Sequence, residues 1–232
     1  MSDGRDGAGV LDELTVAKLP AGQSLRDQVA HALRAAIVAG QMRPGIVYSV
    51  PTLAERFGVS ITPVREAMLD LAKEGLLGAV RNKGFRVTEL SDADLDELTE
   101  LRALIEIPTV AQLASSISAE DVELLRPLAQ AIVESADDGD LIRYLEEDRR
   151  FHLQLLAHAG NGRLVDVVSG LRSQARLYGL DQLVQQGRLV TSAAEHHELL
   201  DTLAVGDAAA AEAVMRRHIG HVRGIWAAVP ED

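Results

Sequence analysis

"FGVSITPVREAM", Phe57 to Met68, decides how the first third of this chain folds. Gly58 stops a short helix begun at Leu53, because a chain leaving a helix commonly needs the left-handed backbone that glycine adopts without steric cost. Ser60 stands where an N-cap belongs, and an apolar rhythm resumes at Ile61. At about 100° per residue, Val64, Met68 and Leu71 share one stripe of this third helix, while Thr62, Arg65 and Glu66 face away from it. A turn that feeds a helix with polar residues at its start is shaped for a DNA major groove.

The flanking residues extend this reading. Ser24 caps a first helix with Leu25, Val29, Leu33 and Ile37 on its apolar face, ending at Gly40. "MRPGIVYSV" is a Pro-Gly turn followed by a short extended piece. The third helix runs to about Lys73, ending near Gly75. Two β-prone runs, "LLGAV" and "FRVTEL", then flank "RNKG", whose Asn82 and Gly84 tolerate positive φ, so a hairpin is expected. Helix, helix, turn, helix and hairpin make a winged helix-turn-helix. Its DNA contacts are expected from Ser60, Ile61, Thr62 and Arg65, which lead the reading helix. Arg65 is suited to a bidentate guanine contact worth ~1–3 kcal/mol. The wing tip Arg81, Asn82, Lys83 and Gly84, with Arg86 beside it, is expected against the backbone or minor groove. The competing reading is a small helical domain with scattered surface arginines, and the ordered set of turn, helix and basic wing argues against it.

Net charge on the 232 residues is −12, which taken whole argues against DNA binding. Its distribution reverses that argument. Residues 20–88 hold nine Lys and Arg against five Asp and Glu, a net of +4, whereas residues 89–232 carry −14. Screening hides charge beyond roughly 8–10 Å, so the local field at the contact surface governs phosphate attraction. There is no cysteine, which removes disulfides and thiolate ligands and fits a cytoplasmic protein. No apolar run approaches the ~18 residues of a membrane span, and the start of the chain lacks the basic and apolar segments of a secretion signal. The first 19 residues, rich in Gly and Asp, read as a flexible arm.

Beyond Leu90 the pattern is helical, with breaks at Pro108, expected to kink or split its helix, at "DDGD", at "GNG" and at Gly206. The expected fold is therefore mainly α: a winged helix-turn-helix over 20–90 and an antiparallel all-helical bundle over 91–228. Polar residues interrupt the bundle's apolar stripes. Asp148 and His152, four residues apart, occupy the middle of the stripe formed by Leu141, Leu145 and Leu155. His196 shares a face with Leu199, Leu200 and Leu203, and His218 with Ala211, Val214 and Val222. A buried carboxylate is costly unless it is paired or bound to metal. One aspartate and three histidines form an N/O donor set suited to a divalent ion: zinc, nickel or manganese. The alternative is a buried Asp–His pair with unrelated core histidines. His197 and His221 fall away from the centre of these faces. Arg102 also faces inward, toward a carboxylate ligand or toward Glu106 four residues on.

The blocks "TPVREAM", "KEGLL" and "KGFRV" give residues 24–90 a close resemblance to the DNA-binding domain of the GntR family of bacterial transcription regulators. Ile61 departs from it, since the family usually has an Arg there that contacts bases. Residues 91–228 resemble the FCD effector domain of the FadR subfamily, through Asp148-x3-His152, "AGN" at 159–161, "EH" at 195–196, "AVGD" at 204–207 and His218. The resemblance implies a divalent metal held by Asp148, His152, His196 and His218, an organic-acid effector met by Arg102, and a homodimer on a pseudo-palindromic DNA operator. It implies a repressor and not an enzyme. A metal that is structural or is itself the signal is the alternative, and metal-dependent hydrolysis is a remote one, since nothing beyond the ligands and Arg102 suggests a catalytic set.

Overall fold

The computed structural model describes residues 24–38, 40–175 and 188–227, which fall into two compact units divided between Leu90 and Ser91. The expected arm lies outside the described residues, as do the end of the helix expected to reach Tyr178 and the side chains of His221 and Trp226.

In the first unit the order is α1 (Leu25–Val38), β1 (Val47–Tyr48), α2 (Val50–Phe57), α3 (Ile61–Lys73), β2 (Leu77–Val80) and β3 (Gly84–Val87). Val29 and Leu33 of α1, Leu53 of α2 and Val64, Met68 and Leu71 of α3 are fully buried and form its core. Each such side chain contributes ~1.5–3 kcal/mol on leaving water. Around this core α1 packs on α3 and α3 on α2. Arg26–Asp70 and Arg34–Glu74 ion pairs tie α1 to α3. They are partly exposed and fix register more than they stabilise.

Two details differ from the sequence expectation. The second helix starts at Val50 instead of Leu53, because the Ser49 hydroxyl accepts the Thr52 N–H and Pro51 occupies the first turn, where a missing N–H costs nothing. Ser60 holds the N-cap position of α3 in an extended conformation, but its side chain makes no capping bond.

The extended piece before α2 joins the hairpin, giving an antiparallel sheet of order β1-β3-β2. Asn82 takes a φ of 60° at the hairpin tip, as the turn requires. Gly84 has φ 131°, and a Cβ there would lie 2.2 Å from the Tyr48 carbonyl oxygen. Only glycine lets β3 approach β1 this closely.

The second unit is a bundle of α4 (Asp92–Leu113), α5 (Ala119–Asp137), α6 (Leu141–Ala157), α7 (Gly162–Ala175), α8 (Arg188–Ala204) and α9 (Ala208–Ala227). Its helices begin where the sequence places caps: a reciprocal box between Ser91 and Asp94, then Ser118, Asp140, Asn161 and Asp207 accepting N–H groups of the first turns. Pro108 does not split α4, which runs through it as one helix. Pro108 and Leu104, whose carbonyl loses its donor, are both exposed, and the Thr109 hydroxyl donates to the neighbouring Ile105 carbonyl at 2.6 Å. In the bundle α4 packs against α9 and α7, α5 against α6 and α8, and α8 against α9. Among the described residues no helix is long and apolar enough to cross a membrane.

Candidate functional site

Packing of the apolar stripe of α3 dictates what its other side presents. With Val64, Ala67, Met68 and Leu71 buried, Ser60, Ile61, Thr62, Arg65 and Glu66 are exposed. Arg81, Asn82 and Lys83 at the wing tip and Arg86 on β3 are exposed as well. Seven of the cations of this unit fall into two contrasting sets. Arg26, Arg34 and Lys73 are held in ion pairs with Asp70 and Glu74, whereas Arg65, Arg81, Lys83 and Arg86 have no ion pair among the described residues. Unpaired positive charge thus stands on the reading helix and the wing, where phosphate would neutralise it. Gly84 differs from its neighbours: it is half-buried and serves the strand approach.

In the helical unit, Asp148 and His152 of α6, His196 of α8 and His218 of α9 are all buried, and their ligand atoms lie within 4.8 Å of one another. His152 Nε2 is 3.1 Å from both His196 Nε2 and His218 Nε2. Asp148 Oδ1 lies 3.3 Å from His196 Nε2 and 3.6 Å from His152 Nε2. Bonds of ~2.1 Å to one ion place neighbouring donors about 3.0 Å apart in octahedral and about 3.4 Å apart in tetrahedral geometry. The four short pairs, 3.1 to 3.6 Å, fall near these spacings.

The outer nitrogens fix how these rings face inward. His196 donates Nδ1–H to the Ala193 carbonyl at 3.0 Å, and His218 donates Nδ1–H to Glu195 Oε2 at 2.9 Å. Both acceptors lack protons, so both rings turn an Nε2 lone pair toward His152. One N–H on His152 can satisfy only one of them, whereas a divalent cation satisfies all three nitrogens and the carboxylate. Burial pushes His218 down to about 4 against the hydrogen bond it donates to Glu195, and pushes His152 well below its ordinary value, with Arg172 acting in the same direction. Neutral imidazole is the ligating form. Phe151 closes one side, its ring edge-on to His152 and His196. The donor set therefore fits a divalent metal. Of the four donor residues, His152 is the one with a buried side-chain atom, Nδ1, lacking a hydrogen-bond partner among the described residues.

Behind Asp148 stands a charge chain. Arg172 of α7 donates Nη1–H to Asp148 Oδ2 at 3.2 Å and, through Nε and Nη2, to Glu106 Oε2. Glu106 also accepts from Arg102 Nε at 2.8 Å, and all of these side chains are buried. Burial alone would push Glu106 up, but Arg172 and Arg102 override it and hold the carboxyl below its ordinary value. Arg102 Nη2 is buried without a partner among the described residues. The Arg102–Glu106 pair, one of the two partners expected for Arg102, is present, and the chain joins it to the Asp/His cluster.

Sequence reasoning missed Arg172 and Glu195. Arg172 follows the fully buried Val168 by four residues, the same signal of a charge within an apolar stripe that singled out Asp148. Glu195 precedes the buried Leu199 by four residues, but its partners His218 and Arg217 come from another helix.

The profile for "Bacterial regulatory proteins, gntR family" matches residues 25–87, and that of the FCD domain matches residues 97–221. The chain belongs to the GntR family of transcription regulators. It is 28% identical over 186 residues to the HTH-type transcriptional regulator McbR of Escherichia coli K12, covering 79% of this chain and 84% of that one. The HTH-type transcriptional repressor RspR of the same organism is 27% identical over 205 residues, 86% of this chain and 88% of that one. The McbR structure superposes with a TM-score of 0.69 at 26% identity, covering 86% of this chain and 95% of that one. A GntR regulator from Rhodococcus sp. RHA1 shares the fold at the same TM-score of 0.69, 23% identical over 90% of this chain and all of that one. This protein is thus a DNA-binding regulator of GntR/FCD type, with a buried Asp/His cluster able to coordinate a divalent metal. Its role is regulatory and not catalytic.

Proposed function

We propose that this regulator is a repressor whose operator affinity is set by a small carboxylate bound beside a divalent metal in the helical domain, residues 91–228. One observation carries the reading. The Asp148, His152, His196 and His218 donor set and the unpartnered Arg102 Nη2 belong to one buried network, linked through Glu106 and Arg172. Asp148 and the three histidines would hold zinc, with nickel and manganese as alternatives of the same donor preference. A bound metal supplies a Lewis-acidic position for an oxyanion, and Arg102 offers that anion a buried donor. Glu106 holds the Arg102 side chain in place, and Arg172 holds Asp148.

The winged domain, residues 20–90, would place Ser60, Ile61, Thr62 and Arg65 at base edges and Arg81, Asn82 and Lys83 on the backbone, with Gly84 shaping the wing. A homodimer would set two such helices on the half-sites of a pseudo-palindromic operator. Exposed Leu101 and Leu104 of α4 and Val167 of α7 supply apolar surface for association. Repression agrees with the name of the relative RspR.

Effector control requires different carboxylate affinities in the DNA-binding and released states. A gel-shift titration of the metal-loaded protein with a panel of small mono- and dicarboxylates tests it: at least one acid lowers operator affinity, and the Arg102→Met variant loses the response. An operator affinity indifferent to every acid and to chelator removes the switch. The same three donor helices also support a metal that is structural. In that case chelation lowers thermal stability, while no acid alters operator binding.

A further inference from the structure

Ile61 stands out on the reading helix. It is the first residue of α3 and is 45% exposed, although it is a large aliphatic side chain. The buried stripe of Val64, Ala67, Met68 and Leu71 locks the roll of the helix, so Ile61 cannot turn inward without unpacking the unit. Its outward neighbours are the uncapped hydroxyl of Ser60, Thr62 and the unpaired Arg65. A branched aliphatic group has no donor or acceptor. Pressed against guanine N7 and O6, adenine N6 or cytosine N4, it would strip water from those groups and return nothing. In the major groove the apolar feature of a base edge is the C5-methyl of thymine.

We propose that Ile61 reads a thymine methyl at one position of each operator half-site, and thereby selects T·A where a polar residue would select another pair. This inference rests on the DNA-reading assignment of α3. Ile61 discriminates in both senses: contact with the methyl removes apolar surface from water, and every other base edge is left desolvated and unpaired. Arg65, one turn further along α3, supplies the polar readout of a neighbouring pair.

The experiment uses the full-length, metal-loaded protein. Sequences are first selected from a random duplex library. In the selected site each thymine is then replaced singly by deoxyuridine, which deletes only the methyl group. For the wild type, one position per half-site loses about fourfold in affinity, the factor that burial of a single methyl supplies. The Ile61→Ala variant binds the two duplexes equally, while Ile61→Val keeps part of the difference. With a cytosine placed at that position, 5-methylation of the cytosine raises wild-type affinity but not that of Ile61→Ala. Wild-type binding insensitive to deoxyuridine at every position overturns the inference. So does an Ile61→Ala variant that keeps the full methyl effect. If the protein selects no common sequence, the DNA-reading assignment itself falls and takes this inference with it. Equal melting temperatures for the variants and the wild type show that a folding defect is not being read.

Discussion

The outward face of α3 and the interior of the helical bundle are both polar sites in one chain, but they are built in opposite ways. At the start of α3, Ser60, Thr62 and Arg65 lie within six residues and are exposed, and Arg65 is without an ion pair among the described residues. In the bundle, Asp148, His152, His196, His218, Arg102, Glu106 and Arg172 come from five helices, and all are buried. A surface that meets a polyanion keeps its charges unpaired, because water and salt screen them cheaply until phosphate arrives. A buried site has no such freedom. Every charge there needs a partner, and the few donors left without one mark where a ligand is expected.

That contrast makes the interior the place where single changes cost most. Glu106→Ala leaves two buried guanidinium groups without their shared carboxylate and is expected to destabilise the protein by about 3–5 kcal/mol. Urea denaturation measures it, with Glu106→Gln as the milder companion. A loss below about 1 kcal/mol would show that water reaches the network, and the two regions would then differ less than their burial suggests.

Acid should act on the bundle next most strongly. His218 is held to about 4 by burial, whereas an unfolded histidine titrates near 6.5. The unfolded chain therefore binds the extra proton first as pH falls. Stability of the metal-free protein is full above 6.5 and is lost as pH drops through that value toward about 4, by on the order of 3 kcal/mol for this ring. His152 adds in the same direction. Denaturation of the chelated protein at a series of pH values should give this slope, and His218→Asn should flatten it. A slope of opposite sign would mean that the folded rings are protonated.

Arg172→Met keeps the ligands but removes the donor that orients Asp148. Metal affinity should fall roughly 10–100-fold, the usual cost of losing a partner of a ligand, as read by competition with a chromogenic chelator. Operator affinity at saturating metal is the control. Unchanged metal affinity would make Arg172 a partner of Glu106 alone.

On the DNA side the smallest effect is expected at the wing. Lys83→Ala should weaken binding about equally for all sequences and lower the slope of log affinity against log salt by about one. A loss confined to one base pair would instead make the wing a reader of sequence.

Much of the first unit was legible because its determinants are local. Gly58, the apolar period of α3 and the Asn82–Gly84 tip each act within a few residues, and the structure realises all three. The split expected at Pro108 does not occur, because the carbonyl it frees belongs to the exposed Leu104, which chain order alone does not show. The buried Asp/His cluster was legible for a different reason: a charge or an imidazole inside an apolar stripe is an anomaly visible in one helix at a time. Arg172 carried that same anomaly and was passed over.

By itself, then, the sequence determined α3, the wing and the inward faces that carry Asp148, His152, His196 and His218, since helix period and capping are properties of short segments. Only the tertiary structure decided that four donors from three helices meet within 4.8 Å, that Glu195 fixes the tautomer of His218, and that Glu106 and Arg172 tie Arg102 to Asp148. Those pairings span 23 to 66 residues of chain, and hydrogen bonds of about 3 Å are fixed by how whole helices pack, not by any periodicity within one of them.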